Sequence, residues 1–222
     1  MGKMTEALPK PMLSIHGRPM LEHILERLAA AGIQWLFIVV GYRGEVIEEH
    51  FRRWPLPIEF HRQQPVNGTG TAAHLARDFC ANEPFLLTYG DILCEPAEYV
   101  RCEAVLERRP PAAAVLAVKA VDDPWQGAAV YEEAGEVTRI IEKPPQGTSA
   151  THWNSAGFYA FRPILFDYLD RLQPSPRNEY ELTSALDMML RDRQLLRISP
   201  VEGEWCDVGR PEDLNAVNAG AK

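Results

Sequence analysis

The sequence predicts an α/β fold, a mixed and mostly parallel sheet with helices on both faces. Three observations carry this. Strand-length apolar runs alternate with helical patterns through the first half of the chain, the order that builds a parallel sheet covered on both sides. Trp35-Leu36-Phe37-Ile38-Val39-Val40 is apolar without interruption and stops at Gly41, the composition of a strand buried on both faces. After Val118 the rhythm changes to that of a hairpin, which makes the sheet mixed.

In order along the chain, Pro19 to Ala31 spaces Met20, Leu21, Ile24, Leu25 and Leu28 on one helical face, with Pro19 in the first turn and Gly32 as a stop. Gly44 to Phe51 reads as a short helix, Ile58-Glu59-Phe60 as a strand, and Thr71 to Phe79 as a second helix. Phe85 to Asp91 follows as a strand, Ala97 to Glu107 as a helix, and Ala113 to Val118 as a strand. Ala128 to Tyr131 and Val137 to Ile141 flank a Gly-containing turn and form the hairpin. Ser155 to Phe161 is a strand, Pro163 to Leu172 and Glu181 to Arg191 are helices, and a last strand ends at Asp207 before a helix opened by Pro211. No repeat, low-complexity tract or linker interrupts this order, so one domain over residues 1–222 is expected.

Composition excludes several classes of function. A net charge of -8 argues against a general nucleic-acid binder, which needs a basic face. No apolar run reaches the ~18 residues of a membrane helix, and no signal segment opens the chain, so the expected location is cytoplasmic. Cys80, Cys94, Cys102 and Cys206 make no CxxC pair, and the six histidines show no metal-ligand spacing. No Ser, Cys or Lys nucleophile stands beside a matched base, as suits a reaction without a covalent intermediate. A nicotinamide-dependent oxidoreductase would need a Gly-x-Gly-x-x-Gly turn after a first strand, and the sequence has none.

Asp91 and Asp207 each close an apolar run, and ligands of an α/β sheet gather outside the carboxyl ends of its strands. Two carboxylates meeting there suit Mg²⁺, which takes oxygen ligands together with substrate phosphates; either Asp alone also suits a helix cap. Lys10 stands between Pro9 and Pro11, which stiffen the segment that presents its ammonium to phosphoryl oxygens. Gln63 to Gly70 is a polar, Gly-containing turn where a nucleobase can lie against backbone while an amide reads its edge. Glu142-Lys143-Pro144 offers an acceptor for sugar hydroxyls beside a cation for a phosphate, and the Asn154 amide both donates and accepts.

Leu8-Pro9-Lys10-Pro11-Met12, Gly68-Thr69-Gly70, Tyr89-Gly90-Asp91, Glu142-Lys143-Pro144, Asn154 to Tyr159, Glu181-Leu182-Thr183 and Trp205 to Gly209 together resemble the sugar-1-phosphate nucleotidyltransferases, in order and over essentially the whole chain. The resemblance is nearest to the uridylyl and thymidylyl branches, including N-acetylglucosamine-1-phosphate uridylyltransferase domains, without the β-helix repeats of the bifunctional enzymes. It implies a Rossmann-like, glycosyltransferase-A-like three-layer sandwich. It further implies that Asp91 and Asp207 hold Mg²⁺, that Lys10 and Lys143 contact phosphates, that Gln63, Gly68 and Thr69 read a pyrimidine, and that Gly127, Glu142 and Asn154 line the sugar pocket. The implied partners are a nucleoside triphosphate, UTP or dTTP, and a sugar 1-phosphate, with homo-oligomerisation left open. Gly127 follows Gln126 where the family has a Tyr-Gly pair.

The chain departs from the family at its opening. Nothing resembling a strand precedes Leu8, and aligning Thr5 and Lys10 puts the arginine of the family's Gly-x-Gly-Thr-Arg loop immediately before Met1. A start assigned at an internal Met, or a deliberately shortened chain, would produce this. The expectations are an unfilled central position or an exposed strand edge, low stability and weak triphosphate binding. A non-catalytic relative that binds the NDP-sugar, or a guanylyl- or cytidylyltransferase of the same family, are the alternative readings.

Overall fold

The structure, a computed structural model, describes residues 8–220; Met1 and Thr5, on which the reading of the chain's opening rests, lie outside them. A 3₁₀ turn at Lys10–Met12 leads into two short strands, β1 (Ser14–Ile15) and β2 (Arg18–Pro19), joined through left-handed His16 and Gly17. Helix α1 (Met20–Ala30) buries Met20, Leu21, Ile24, Leu25 and Leu28, the face marked by their spacing. Then follow β3 (Leu36–Val40), α2 (Gly44–Phe51), β4 (Ile58–Arg62), α3 (Thr69–His74), α4 (Arg77–Cys80), β5 (Phe85–Thr88), β6 (Ile92–Cys94) and α5 (Pro96–Leu106). The second half holds β7 (Ala114–Ala120), the hairpin β8 (Ala128–Glu133) and β9 (Glu136–Glu142), β10 (Trp153–Phe161), α6 (Leu165–Leu169), α7 (Leu182–Arg191), β11 (Leu196–Pro200), β12 (Trp205–Asp207) and α8 (Pro211–Asn218).

Six strands form the main sheet in the order β5-β10-β7-β11-β9-β8. β7 and β11 are parallel, and β10 runs against both β5 and β7, so β5, β7 and β11 share one direction with a reversed strand between the first two. The sheet separates two apolar layers by simple alternation. Val115 and Ala117 of β7, with Ala156, Phe158 and Ala160 of β10, face the layer built on α1 and α5. Ala114, Leu116 and Val118, with Tyr159 and Phe161, face the layer built on α6 and α7. That is an α/β three-layer arrangement around a mixed sheet.

The elements differ from their sequence patterns in three ways. The helix expected from Thr71 to Phe79 is two pieces, because Ala76 leaves the helical path between α3 and α4. The run from Phe85 stops being strand at Thr88, and Asp91 lies in the turn that enters β6. β6 and β11 carry no sequence signal of their own: the first is three residues long, and Arg197 and Ser199 dilute the second.

β3 and β4 pair with one another in parallel and, among the described residues, with no other strand. β5 is the outer strand of the six. Between β3 and β5 lies an apolar slot of about 1070 Å³, closed on its faces by residues of α1 and of α3–α4 and opening beside Lys10 and Asp91.

Candidate active site

The carboxyl ends of β5 and β12 bring Asp91 and Asp207 together. β6 and β12 pair antiparallel with Asp207 opposite Ile92, and the Val208 N–H donates to the Asp91 carbonyl at 3.0 Å. Neither Asp caps a helix: the residue before α5 is Glu95 and the residue before α8 is Arg210. Lys10 reaches over from its 3₁₀ turn and forms an ion pair with Asp91. Gly90 makes room for that turn, since a Cβ there would stand 3.2 Å from Cγ of Pro11. Burial and the negative charge of Asp91 push the Asp207 carboxyl from its ordinary 3.8 up to about 6, with Lys10 opposing. Two carboxylates that resist sharing negative charge are a natural seat for a cation. Among the described residues no third His, Cys, Asp or Glu completes a cage, which suits Mg²⁺: it is held through one or two carboxylates and takes its other ligands from water and phosphates.

The loop before α3 is clamped by its own side chains. Gln63, buried at the end of β4, donates from Nε2 to the Gly68 carbonyl at 2.8 Å and to Thr71 Oγ1 at 2.7 Å. Both bonds use the amide nitrogen, which leaves Oε1 as the amide atom for a ligand. The Thr69 hydroxyl accepts the Leu182 N–H at 3.0 Å, which ties the backbone that the resemblance assigns to the base to the start of α7. Gly68, at φ 137°, and Gly70 pack against Tyr180, whose carbonyl accepts the Gly70 N–H at 2.8 Å. The stretch Asn178 to Thr183 therefore braces this loop.

Gly127, Glu142, Lys143 and Asn154 also converge. The Lys143 N–H donates to the Gly127 carbonyl at 2.8 Å, and a Cβ on Gly127 would stand 2.3 Å from Oδ1 of Asn154. That Oδ1 is buried without a partner, while the Asn154 nitrogen is used on the Ser155 carbonyl at 2.8 Å. An orphaned buried acceptor is costly unless a ligand donates to it. Lys143 is held at φ 43°, a strained backbone of the kind that collects at binding sites. Gln126 in place of the family's tyrosine leaves this convergence intact.

Four further residues belong to the site. The Tyr89 ring meets that of Tyr159 edge-on at 6.1 Å, and the Tyr159 and Ser155 hydroxyls lie 2.7 Å apart, so aromatic and hydroxyl groups line the way from the Asp91 turn to the start of β10. Thr183 donates to Glu142 at 3.1 Å, and Arg177 stands 3.1 Å from Glu181 and 3.4 Å from Glu142. Tyr89, Glu181 and Thr183 lie inside motifs already singled out, but the contacts that give them a role are long-range. Arg177 sits in a Pro- and Asn-containing stretch that looks like any solvated turn.

Burial and the neighbouring Glu181 raise the Glu142 carboxyl above its ordinary 4.5, with Thr183, Lys143 and Arg177 opposing. A carboxylate whose folded pKa is raised is more easily charged when unfolded. Its contribution therefore favours the fold at acid pH and declines as pH rises from about 4.5 through the raised value. Glu142→Gln should remove that decline. Melting curves of the two proteins should converge near pH 4.5 and separate by pH 7 with the variant equal or higher. A wild type that gains on the variant as pH rises would contradict this.

The sequence profile of the Nucleotidyl transferase family matches residues 3–222. A UTP–glucose-1-phosphate uridylyltransferase from Haloferax volcanii is 32% identical over 95% of this chain and 86% of that protein. A bifunctional GlmU protein from Methanocaldococcus jannaschii is 32% identical over 97% of this chain, which spans 50% of that protein's length. Among solved structures, UDP-glucose pyrophosphorylase complexed with UDP-glucose superposes with a TM-score of 0.87 at 21% identity, covering 99% of this chain and 92% of that one.

Proposed function

The chain belongs to the Nucleotidyl transferase family, and on that premise we propose that it joins a nucleoside triphosphate to a sugar 1-phosphate, releasing pyrophosphate and an NDP-sugar. The observation that carries this reading is the presence of two half-sites on one side of the sheet, one charged and one with an unpartnered acceptor. Lys10, Asp91 and Asp207 gather where a triphosphate would end, and Asn154 presents an orphaned acceptor where a sugar hydroxyl would donate. Residues 1–222 act in this proposal as one nucleotidyltransferase domain. Its four cysteines are all free, in keeping with a reducing cytoplasm. Among the described residues no helix is long and apolar enough to cross a membrane.

An oxygen of the sugar phosphate attacks the α-phosphorus in line. The new P–O bond forms as the bond to the bridging oxygen breaks, and pyrophosphate leaves with that electron pair. Glu142 and Asn154 hold the sugar hydroxyls, and Lys143 steers its phosphate. Lys10 balances negative charge on the triphosphate side. Asp91 and Asp207 would hold Mg²⁺, which when bound neutralises phosphate oxygens that would otherwise repel the attacking one. Because the chemistry is positioning and charge compensation, a set of fixed charges without a nucleophile suffices.

Base choice follows from Gln63. With Nε2 committed to the loop, Oε1 accepts from the ring N–H that uracil and thymine present at N3; adenine and cytosine present an acceptor there, and the unpaired contact is expensive. Pyrophosphate release with a panel of triphosphates and sugar 1-phosphates should favour UTP or dTTP over ATP and CTP by a factor of about 100 or more. Turnover fastest with GTP would place the chain in a guanylyltransferase branch instead, and release without any sugar phosphate would end the proposal.

A further inference from the structure

Asp207 ends a strand that does not hold itself in place. β12 is three residues long and, among the described residues, pairs only with the three residues of β6, outside the six-stranded sheet. A two-stranded ribbon of that length is not stable alone, so the position of Asp207 beside Asp91 depends on what fixes the two ends of β12. Past its last residue, the Val208 N–H bonds to the Asp91 carbonyl. At its first residue, Trp205 donates its indole N–H to the Ala156 carbonyl of β10 at 2.8 Å. The chain enters from the loop 201–204.

That loop is gripped between two opposite charges. Glu98 projects from α5, whose buried face is otherwise Tyr99, Cys102, Val105 and Leu106, and it is 2% exposed. Its Oε1 accepts the Gly203 N–H at 2.9 Å. Lys119 comes from β7, on the face that Val115 and Ala117 turn toward α5. Its ammonium donates to the carbonyls of Val201 at 3.3 Å and of Gly203 at 3.4 Å. Gly203 permits this approach, because a Cβ there would stand 2.7 Å from Oε2 of Glu95 and 3.0 Å from Oε1 of Glu98. Arg101, one turn along α5, pairs with Glu202 at 2.5 Å and stands 3.5 Å from Glu98, and the Glu95 N–H bonds to the Glu204 carbonyl at 3.2 Å.

We infer that Glu98 and Lys119 are positioning residues for Asp207, acting through the backbone of Gly203. A carboxylate buried in an apolar helix face is costly, and an exposed loop needs no ion to satisfy its backbone, since water does so. Charged partners make the stronger hydrogen bonds, and here they hold the amide and the carbonyl of one residue from two sides. Asp207 follows Gly203 by four residues of extended chain, so a shift of the loop passes along β12 to its carboxylate. Neither Glu98 nor Lys119 meets a substrate. The inference rests on the reading of Asp91 and Asp207 as the seat of Mg²⁺, and groups that orient the ligands of a cation are worth about tenfold or more in its affinity.

The test uses the full chain and Mn²⁺, a paramagnetic stand-in for Mg²⁺, titrated through water-proton relaxation at a temperature where each variant is folded. Glu98→Ala and Lys119→Met should each weaken Mn²⁺ binding by about tenfold. Glu98→Gln keeps an oxygen for the Gly203 N–H and should stay within about twofold of wild type; a loss equal to that of Glu98→Ala would overturn the role of that bond. Because both side chains act through one loop, the double variant should lose far less than the product of the two single losses, and a full product would overturn the shared route. Gly135→Ala, which strains a distant hairpin turn, should bind Mn²⁺ as wild type does. An equal loss there would show that lowered stability alone is the cause, and would also overturn the inference. If Glu98→Ala does not fold, Lys119→Met decides, since Lys119 is only half-buried. Unchanged affinity in the single variants, with Asp207→Asn weakened, overturns the positioning role and leaves the cation reading standing. A wild type that binds Mn²⁺ no better than Asp207→Asn overturns both.

Discussion

Asp207→Asn should lower the rate of pyrophosphate release by a factor of about 100 or more, while its melting temperature stays level with wild type or rises. The two halves have one cause. Surrounding protein and the nearby Asp91 disfavour the charged form of Asp207 in the folded chain, and because the residue is solvent-exposed the relief on removing the charge is small. The same charge is what a divalent cation needs, so removing it disables the site. Asp91→Asn should lose activity on the same scale but gain no stability, because its carboxylate is already answered by Lys10. That pair is about a quarter exposed on each side, so its loss costs on the order of 1 kcal/mol or less. Added Mg²⁺ should raise the melting temperature of the wild type and of neither variant. A helix-capping role would give the opposite pattern, with stability lost and activity kept. If both variants remain fast, the carboxylates are not the seat of the cation.

The sequence was informative where chemistry and periodicity coincide. The buried face of α1 follows from five apolar positions at helical spacing, and the apolar layers on either side of β7 follow from alternation alone. Asp91 and Asp207 were found because a charge at the end of an apolar run is conspicuous, even though Asp91 proves to sit three residues past its strand. Bonds between distant segments were out of reach. The Thr69 hydroxyl accepts the N–H of Leu182, 113 residues away, and no local pattern encodes that bond. Arg177 shows the same limit from the other side. Only the packing of α7 against β9 reveals that it stands over Glu142 and Glu181. The slot between β3 and β5 is likewise a property of two separate segments, each of which alone reads as an ordinary apolar strand.

Gly68→Ala should damage both halves of the site at once. A Cβ there would stand 2.3 Å from the Tyr180 carbonyl oxygen and 2.6 Å from its nitrogen, at a φ of 137° that side chains avoid. Neither Tyr180 group can yield freely: its N–H bonds to the Asn67 carbonyl and its carbonyl to the Gly70 N–H, both at 2.8 Å. The segment displaced is the one that carries Glu181 and Thr183 to Glu142. The expected cost is about 2–4 kcal/mol of stability, with KM raised for the sugar phosphate as well as for the triphosphate. Gly135→Ala is the matched control, since it too has a positive φ, 85°, but meets nothing within 4 Å in the hairpin turn. It should cost about 1 kcal/mol and leave both KM values where they were. Equal melting temperatures for the two variants would show that Tyr180 can move aside. A defect confined to the triphosphate would show that the loop and the sugar pocket are braced independently.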